Sequence, residues 1–237
     1  MTSGLRCAGW AGSTTLHADI RLKTDPDVFI RANTGVSSPP HVPEIRLHLA
    51  SEAHDLWLKT EDELAEIGLP PPFWAFAWAG GQGLARYVLD TPDIVRGKRV
   101  VDFATGSGLV AIAAKMAGAS GVTAVDIDPW AKTAVALNAD LNAADLTFES
   151  TDIVGSDFDA DVLLAGDVFY DKDFAAKIIP WFERLTANGV VVLVGDPGRS
   201  YLPRDRLIFC ETYEVPVTRA LEDSDVKKTV VWRFKGE

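Results

Sequence analysis

Short apolar runs alternate with amphipathic stretches through the second half of the chain. The runs typical of strands buried on both faces are residues 100–104, 122–127, 162–164 and 190–194. The stretches between them with the hydrophobic spacing of helices are residues 109–117, 131–142 and 173–185. This alternation predicts an α/β fold in which helices cover both faces of a mostly parallel, doubly wound sheet.

The C-terminal end of the chain departs from this alternation. Residues 207–215 and 228–234 are both strand-like, and the polar stretch between them is too short to hold a crossover helix. We therefore expect these two strands to pair antiparallel as a terminal hairpin.

The N-terminal part shows weaker patterns. Residues 1–40 have little periodic hydrophobicity and end in Ser-Ser-Pro-Pro, which favours an arm that is dispensable for ligand binding. Residues 43–49 alternate like a half-buried strand, and residues 54–67 have helical spacing before three successive prolines. The predicted organisation is an arm at 1–40, an extension packing on the core at 41–97, and the α/β domain at 98–237.

The formal net charge of −11 and the pI near 4.8 limit the partners of the protein. Binding to an extended nucleic acid depends on counterion release by basic residues, so an acidic chain favours a neutral or basic partner. No run approaches the roughly 18 apolar residues of a membrane span. We expect a monomer that binds neither nucleic acid nor membrane.

The cysteine pattern indicates a reducing compartment. Cys7 and Cys210 are far apart in sequence, and neither belongs to a metal-binding motif. The chain is therefore expected to hold no metal and to be cytoplasmic. Basic and hydroxyl residues near the N-terminus are faintly typical of a transit peptide, but Asp19 and Asp25 are not, and a mitochondrial matrix location is the alternative.

A glycine-bearing turn follows the first strand of the α/β region. The stretch Asp102-x-Ala104-x-Gly106-x-Gly108 joins this strand to a helix, and its glycines allow a ligand to approach the backbone. The third glycine of a dinucleotide fingerprint is replaced by Ala111. The carboxylate of Asp102 at the mouth of the turn suits a ligand with an amino group better than a pyrophosphate.

Two further acidic residues follow the next strands. Asp126 lies at the end of the second strand, where a carboxylate can accept hydrogen bonds from both hydroxyls of a ribose. Asp152 follows the third strand and is a candidate acceptor for an adenine amino group. Asp128 precedes Pro129 and is instead predicted to be the N-cap of a helix. The ligand is therefore expected to be a nucleoside.

Residues 98–237 resemble the class I S-adenosylmethionine-dependent methyltransferases. The glycine-bearing turn, Asp126 and Asp152 are similar to motifs I, post-I and II of that family, although Ala104 stands where glycine is most common. The resemblance implies a Rossmann-like sheet of seven strands with a C-terminal antiparallel hairpin. It also implies S-adenosylmethionine as cofactor and S-adenosylhomocysteine as product. The cofactor-binding residues that it implies are Trp78, Asp102, Ala104, Gly106, Gly108, Asp126 and Asp152.

Two stretches indicate a subfamily. Residues 72–87, with the sequence PFWAFAWAGGQGLARY, closely resemble the segment before the core in lysine methyltransferases of the electron-transfer flavoprotein beta subunit. Asp167 and Tyr170 resemble the D-x-x-Y motif of the same group. The resemblance implies that Trp78 contacts the cofactor, that the substrate is a lysine of that flavoprotein subunit, and that Asp167 and Tyr170 position and discharge its amine.

Structural explanations remain open for several of these residues. Trp74 and Phe76 are expected to be packing residues, since aromatic stripes usually belong to cores. The acidic residues could cap helices, and Tyr170 could be an ordinary aromatic at a strand end. Two other functions are also compatible with the pattern: a small-molecule N-methyltransferase, for example of the nicotinamide type, and a nucleotide-binding module without catalysis.

Overall fold

The computed structural model describes residues 25–50, 71–217 and 224–236, so the helix predicted at residues 54–67 lies outside the described part. The helices are α1 (Pro26–Asn33), α2 (Ala79–Asp90), α3 (Leu109–Met116), α4 (Pro129–Leu141) and α5 (Lys172–Ala187). Short 3-10 turns lie at Phe73–Ala75, Pro92–Ile94 and Arg204–Arg206. No helix among these described residues is both long and apolar enough to cross a membrane.

The strands form a small hairpin and a large sheet. The hairpin pairs β1 (Gly35–Ser37) with β2 (Leu47–Leu49). The strands of the large sheet are β3 (Arg99–Phe103), β4 (Gly121–Val125), β5 (Thr147–Glu149), β6 (Val162–Gly166), β7 (Val191–Asp196), β8 (Leu207–Pro216) and β9 (Val226–Phe234). The strand and helix boundaries predicted for the α/β region are correct to within two residues.

The large sheet has seven strands in the order β5-β4-β3-β6-β7-β9-β8. Strands β3 to β7 pair in parallel, whereas β9 is antiparallel to both β7 and β8. The predicted seven-stranded, mostly parallel sheet and its antiparallel C-terminal hairpin are thus confirmed. The hairpin turns back because the connection leaves no room for a crossover helix, and β9 inserts between β7 and the edge strand β8.

Alternating side chains of the parallel strands pack into two separate cores. On one face, Val100 and Leu164 pack with residues of α2 and α3. On the other, Val101 and Phe103 pack with the apolar side of α5, including Phe182. Burial on both faces explains why these strands are continuous apolar runs in the sequence.

The segment before β2 corrects one expectation. In α1, Asp25 caps the N-terminus by accepting a hydrogen bond from the amide of Asp27, and Ile30 is fully buried. Ile30 belongs to a cluster with Trp74 and Trp130. Residues 26–37 of the predicted arm therefore contain a helix and a strand, and Ile30 packs into the fold, whereas the dispensability of the arm for ligand binding stays a prediction. A helix of eight residues is too short to show clear periodicity, which is why the sequence pattern missed it.

Backbone atoms at the start of α2 lie very close to backbone atoms of the sheet. A Cβ atom added to Gly195 of β7 would lie 2.1 Å from the carbonyl oxygen of Gly80, and one added to Gly166 of β6 would lie 2.8 Å from the Cα of Gly81. Any side chain at these positions would push the helix away from the strands. The glycines at residues 80, 166 and 195 therefore set how closely α2 approaches the carboxyl ends of β6 and β7.

We predict that Gly195→Ala destabilises the protein by about 2 kcal/mol or more, because its methyl group would overlap backbone atoms that cannot move away. Gly121→Ala is the matched control, since Gly121 also lies in a strand of the sheet but has no atom within 4 Å of an added Cβ. Urea unfolding of the two variants and the parent measures the effect. Equal midpoints for the two variants would show that the contact is not tight in solution.

Candidate active site

The predicted site residues come together at the carboxyl edge of the parallel strands. The chain runs from β3 outward to β5 and then returns to β6 on the other side of β3, so the strand order reverses between β3 and β6. Open α/β sheets bind ligands in the crevice at such a reversal. The loops that follow β3, β4, β6 and β7 all begin at this edge of the sheet.

The turn after β3 has an unusual backbone. Ala104, Gly106 and Gly108 have φ values of 54°, 52° and 82°, all in the left-handed region. Ala104 thus adopts the conformation for which glycine is better suited, at a cost of roughly 1–2 kcal/mol. Its side chain is exposed, so the turn keeps the backbone shape expected for a glycine at this position.

Asp102 lies beneath this turn and is almost fully buried, with 1% of its surface exposed. Its Oδ2 atom accepts hydrogen bonds from Thr105 Oγ1 at 2.5 Å and from the amide of Ala111 at 2.9 Å. Burial raises the pKa of Asp102 to about 7, although both hydrogen bonds act against this shift. The carboxylate therefore organises the turn, and its contact with a ligand amino group stays a prediction.

Asp126 links the turn after β3 to the loop after β4. Its Oδ2 atom accepts a hydrogen bond from the amide of Gly106 at 2.8 Å, and its Oδ1 atom accepts one from the amide of Asp128 at 3.0 Å. Burial raises the pKa of Asp126. The confirmed N-cap of α4 is Asp128, which accepts from the amide of Trp130. The half-buried carboxylate of Asp126 is thus held at the edge of the crevice.

Asp152 lies in the loop after β5. Its side chain is exposed, and Oδ1 accepts a hydrogen bond from the amide of Val154 at 3.0 Å. This loop belongs to the same carboxyl edge as Asp126, because β5 is parallel to β4. A contact of Asp152 with an adenine ring stays a prediction.

The aromatic segment before α2 lies against the glycine-bearing turn. A Cβ added to Gly106 would be 3.7 Å from the carbonyl oxygen of Phe73. The same oxygen accepts a hydrogen bond from Trp78 Nε1 at 3.0 Å, which fixes the partly buried indole ring. Trp74 and Phe76 are buried, as expected for packing residues. Trp78 is therefore placed near the predicted cofactor turn by its own hydrogen bond.

Asp167 is held in the loop directly after β6. It has a φ value of 59°, and only 8% of its surface is exposed. Its Oδ2 atom accepts a hydrogen bond from the amide of Gly80 at the start of α2. Its Oδ1 atom accepts one from Arg199 Nε at 2.7 Å, which makes a partly buried ion pair.

Tyr170 has different surroundings from Asp167, although the two are three residues apart. Its side chain is 54% exposed. Its ring lies 5.8 Å from the Phe73 ring and 6.4 Å from the Phe174 ring, measured between centroids. Because Phe73 also contacts Trp78 at 5.7 Å, these rings form a continuous aromatic row beside the crevice. The catalytic roles assigned to Asp167 and Tyr170 stay predictions.

Two residues of this site have no signal in the sequence pattern. In the sequence, Phe73 is one of several aromatic residues before α2. Only the structure distinguishes it, by its position beside Gly106 and Tyr170. Arg199 follows Asp-Pro-Gly at the end of β7, a pattern that predicts a turn without showing which acid the arginine would meet. Among residues 25–50, 71–217 and 224–236, no group of three His, Cys, Asp or Glu side chains could hold a metal ion.

Comparison with known proteins identifies the family. The profile described as "Ribosomal protein L11 methyltransferase (PrmA)" matches residues 86–168. The electron transfer flavoprotein beta subunit lysine methyltransferase of Xenopus laevis is 43% identical over 90% of this chain and 88% of its own length. The chain belongs to the electron transfer flavoprotein beta subunit lysine methyltransferase family. The human member is 37% identical over 89% of this chain and 83% of its own length.

The family assignment confirms the resemblance that residues 72–87 and 167–170 indicated, and it makes the chain a lysine methyltransferase by family. A Thermoplasma acidophilum protein of known crystal structure has the same fold, with a TM-score of 0.51 and 19% identity. The alignment covers 66% of this chain and 88% of that protein. This likeness agrees with the seven-stranded architecture on which the site is built.

The raised pKa of Asp102 makes stability depend on pH. Because its pKa is about 7 in the folded chain and 3.8 ordinarily, the folded state binds the proton more tightly than the unfolded state between these values. The stabilising contribution is complete below the ordinary value and is lost as the pH rises through about 7. In the parent, Asp102 should lower the free energy of unfolding by roughly 2–3 kcal/mol as the pH rises from about 5 to about 8. We expect Asp102→Asn to remove this contribution to the pH dependence.

Urea unfolding at several pH values measures this difference. Asp145→Asn is the control, because Asp145 is exposed in the loop before β5. Parallel curves for Asp102→Asn and the parent would contradict the assignment of the raised pKa to Asp102.

Proposed function

We propose that this protein is an S-adenosylmethionine-dependent protein-lysine N-methyltransferase whose substrate is the electron transfer flavoprotein beta subunit. The observation that carries the proposal is the 43% identity to a curated lysine methyltransferase of that subunit over nearly the full length of both chains. The acidic net charge supports a protein partner with a basic segment and disfavours nucleic acid.

The residues of the crevice fit a nucleoside cofactor. The left-handed backbone at Gly106 and Gly108 leaves the turn open to close approach, and the first amides of α3 follow it. Asp126 accepts one backbone hydrogen bond on each oxygen, so each oxygen keeps a lone pair for a ribose hydroxyl. S-adenosylmethionine supplies a methyl group on a positively charged sulfur and leaves as S-adenosylhomocysteine.

The other cofactor contacts follow the same edge. Asp102 is assigned to the amino group of the methionine part, Asp152 to the adenine amino group, and Trp78 to one wall of the site. Ala104 contributes backbone rather than its side chain, because its φ value of 54° reproduces the glycine conformation.

The substrate end of the site is the aromatic row Phe73, Trp78, Tyr170 and Phe174. A lysine side chain entering between such rings loses hydration, which lowers the pKa of its amine and favours the neutral, nucleophilic form. Asp167 and Tyr170 orient this amine and assist its deprotonation. Alignment and desolvation then provide the catalysis, so this mechanism requires neither a covalent intermediate nor a metal.

We expect Asp126→Ala to weaken binding of S-adenosylhomocysteine by roughly 1.5–3 kcal/mol, the usual loss for hydrogen bonds to a charged group. Asp126→Asn should lose less, because one oxygen acceptor remains for a backbone amide or a hydroxyl. Titration calorimetry measures both affinities, and Asp145→Asn serves as a control outside the site. Unchanged affinity in Asp126→Ala would remove the ribose assignment.

The catalytic assignment is tested with Tyr170→Phe and Asp167→Asn. Asparagine is preferred to alanine at Asp167 because it tolerates the left-handed backbone with a φ value of 59°. We expect each variant to reduce methylation of the purified flavoprotein beta subunit by roughly a hundredfold, with little change in S-adenosylhomocysteine affinity.

The measurement is transfer of a labelled methyl group to the subunit, with calorimetry in parallel. Tyr213→Phe is the matched tyrosine control, since Tyr213 lies on the edge strand β8 against His41. Near-parental methylation by both test variants would remove Asp167 and Tyr170 from the mechanism. Labelling of nicotinamide in place of the subunit would favour the small-molecule alternative.

A further inference from the structure

The loop after β7 is anchored by a buried acid. Asp196, the last residue of β7, is 1% exposed. Its Oδ1 atom accepts hydrogen bonds from the amides of Gly198 at 2.6 Å and Arg199 at 2.7 Å. The backbone of Arg199 is therefore fixed at the carboxyl edge of the sheet, next to the strand that leads into Asp167.

The Arg199 side chain returns from this loop to Asp167. Its Nε atom lies 2.7 Å from Asp167 Oδ1, and the side chains are 23% and 8% exposed. The other carboxylate oxygen of Asp167 is held by the amide of Gly80. Hydrogen bonds from the start of α2 and from the loop after β7 thus hold the two carboxylate oxygens of Asp167. Hydrogen bonds between charged groups in partly buried surroundings are among the stronger ones in proteins.

We propose that Arg199 is a positioning residue for methyl transfer, which fixes the Asp167 carboxylate in the one orientation from which it can align the substrate amine. This inference rests on the proposed function, because it concerns the same lysine site. Arg199 acts through Asp167 and need not contact the substrate. The same ion pair links the loop after β7 to Asp167, whose other carboxylate oxygen is held by the Gly80 amide at the start of α2.

A purely structural ion pair would have different consequences. Such a pair would contribute to stability regardless of its distance from the site. Its removal would lower cofactor binding and turnover only to the extent that the protein unfolds. The pair observed here instead immobilises a side chain in a left-handed loop, three residues before the exposed Tyr170. An orientation set in this way is expected to affect alignment in the bound complex, and therefore kcat more than KM.

The test is a double-mutant cycle with Arg199→Gln, Asp167→Asn and the double variant, assayed on the intact flavoprotein beta subunit. We expect Arg199→Gln to lower kcat by about tenfold or more, with KM for the subunit changed by less than about threefold. In the Asp167→Asn background the same substitution should have little further effect, because two residues that act as a unit are not additive.

Two further variants separate charge and position from folding. Arg199→Lys keeps the positive charge and should recover part of the lost kcat, although lysine cannot reproduce the planar geometry of the guanidinium group. Arg204→Gln is the control, since Arg204 is an exposed arginine in the same loop. Thermal unfolding and S-adenosylhomocysteine affinity are measured for every variant, and each variant should remain folded at the assay temperature and bind S-adenosylhomocysteine with near-parental affinity.

The outcomes distinguish this inference from the proposed function. If the parent methylates the subunit, the proposed function stands. Additive effects of the two substitutions, or a parental kcat in Arg199→Gln, would then overturn only the role of Arg199. If Arg199→Gln and Arg199→Lys both lose activity only in proportion to a loss of thermal stability, Arg199 has a structural role. That result would also overturn its positioning role. A parent that methylates no lysine of the subunit would overturn the proposed function and the inference together.

Discussion

The close backbone contact between the start of α2 and the ends of β6 and β7 is the constraint on which the site depends. Gly80, Gly166 and Gly195 lack the Cβ atoms that would separate the helix from the strands. At this distance the Gly80 amide reaches the Asp167 carboxylate, and the aromatic segment before α2 lies against Gly106. One packing contact therefore brings the predicted cofactor turn and the predicted lysine site together.

Buried carboxylates organise the loops at the same edge of the sheet. Asp102 and Asp128 accept hydrogen bonds from backbone amides in the first turns of α3 and α4, respectively. Asp126 and Asp196 accept them from backbone amides of the loops that follow β4 and β7. Burial raises the pKa of all four, and to about 7 for Asp102 and Asp128. Because these hydrogen bonds are made within the chain itself, they reduce the ordering that ligand binding requires.

The site also contains backbone strain that tertiary contacts stabilise. Ala104 and Asp167 both have positive φ values, at the two loops that flank the reversal in strand order. Such conformations are unfavourable by about 1–3 kcal/mol each and persist only where surrounding contacts determine them. For Asp167 these contacts are the amide of Gly80, the carbonyl oxygen of Gly195 and the guanidinium group of Arg199.

The sequence alone determined the sheet and the terminal hairpin, because buried parallel strands are apolar runs. The family was indicated by the resemblance of residues 72–87 and 167–170 to known methyltransferases. The sequence also predicted Asp102, Asp126 and Asp167 at the ends of their strands, as observed, whereas their roles in binding and catalysis stay predictions. It could not reveal α1, whose eight residues are too few for periodicity, or the pairing of Arg199 with Asp167. That pairing joins residues from two loops, and only the packing of β6 beside β7 decides which side chains meet.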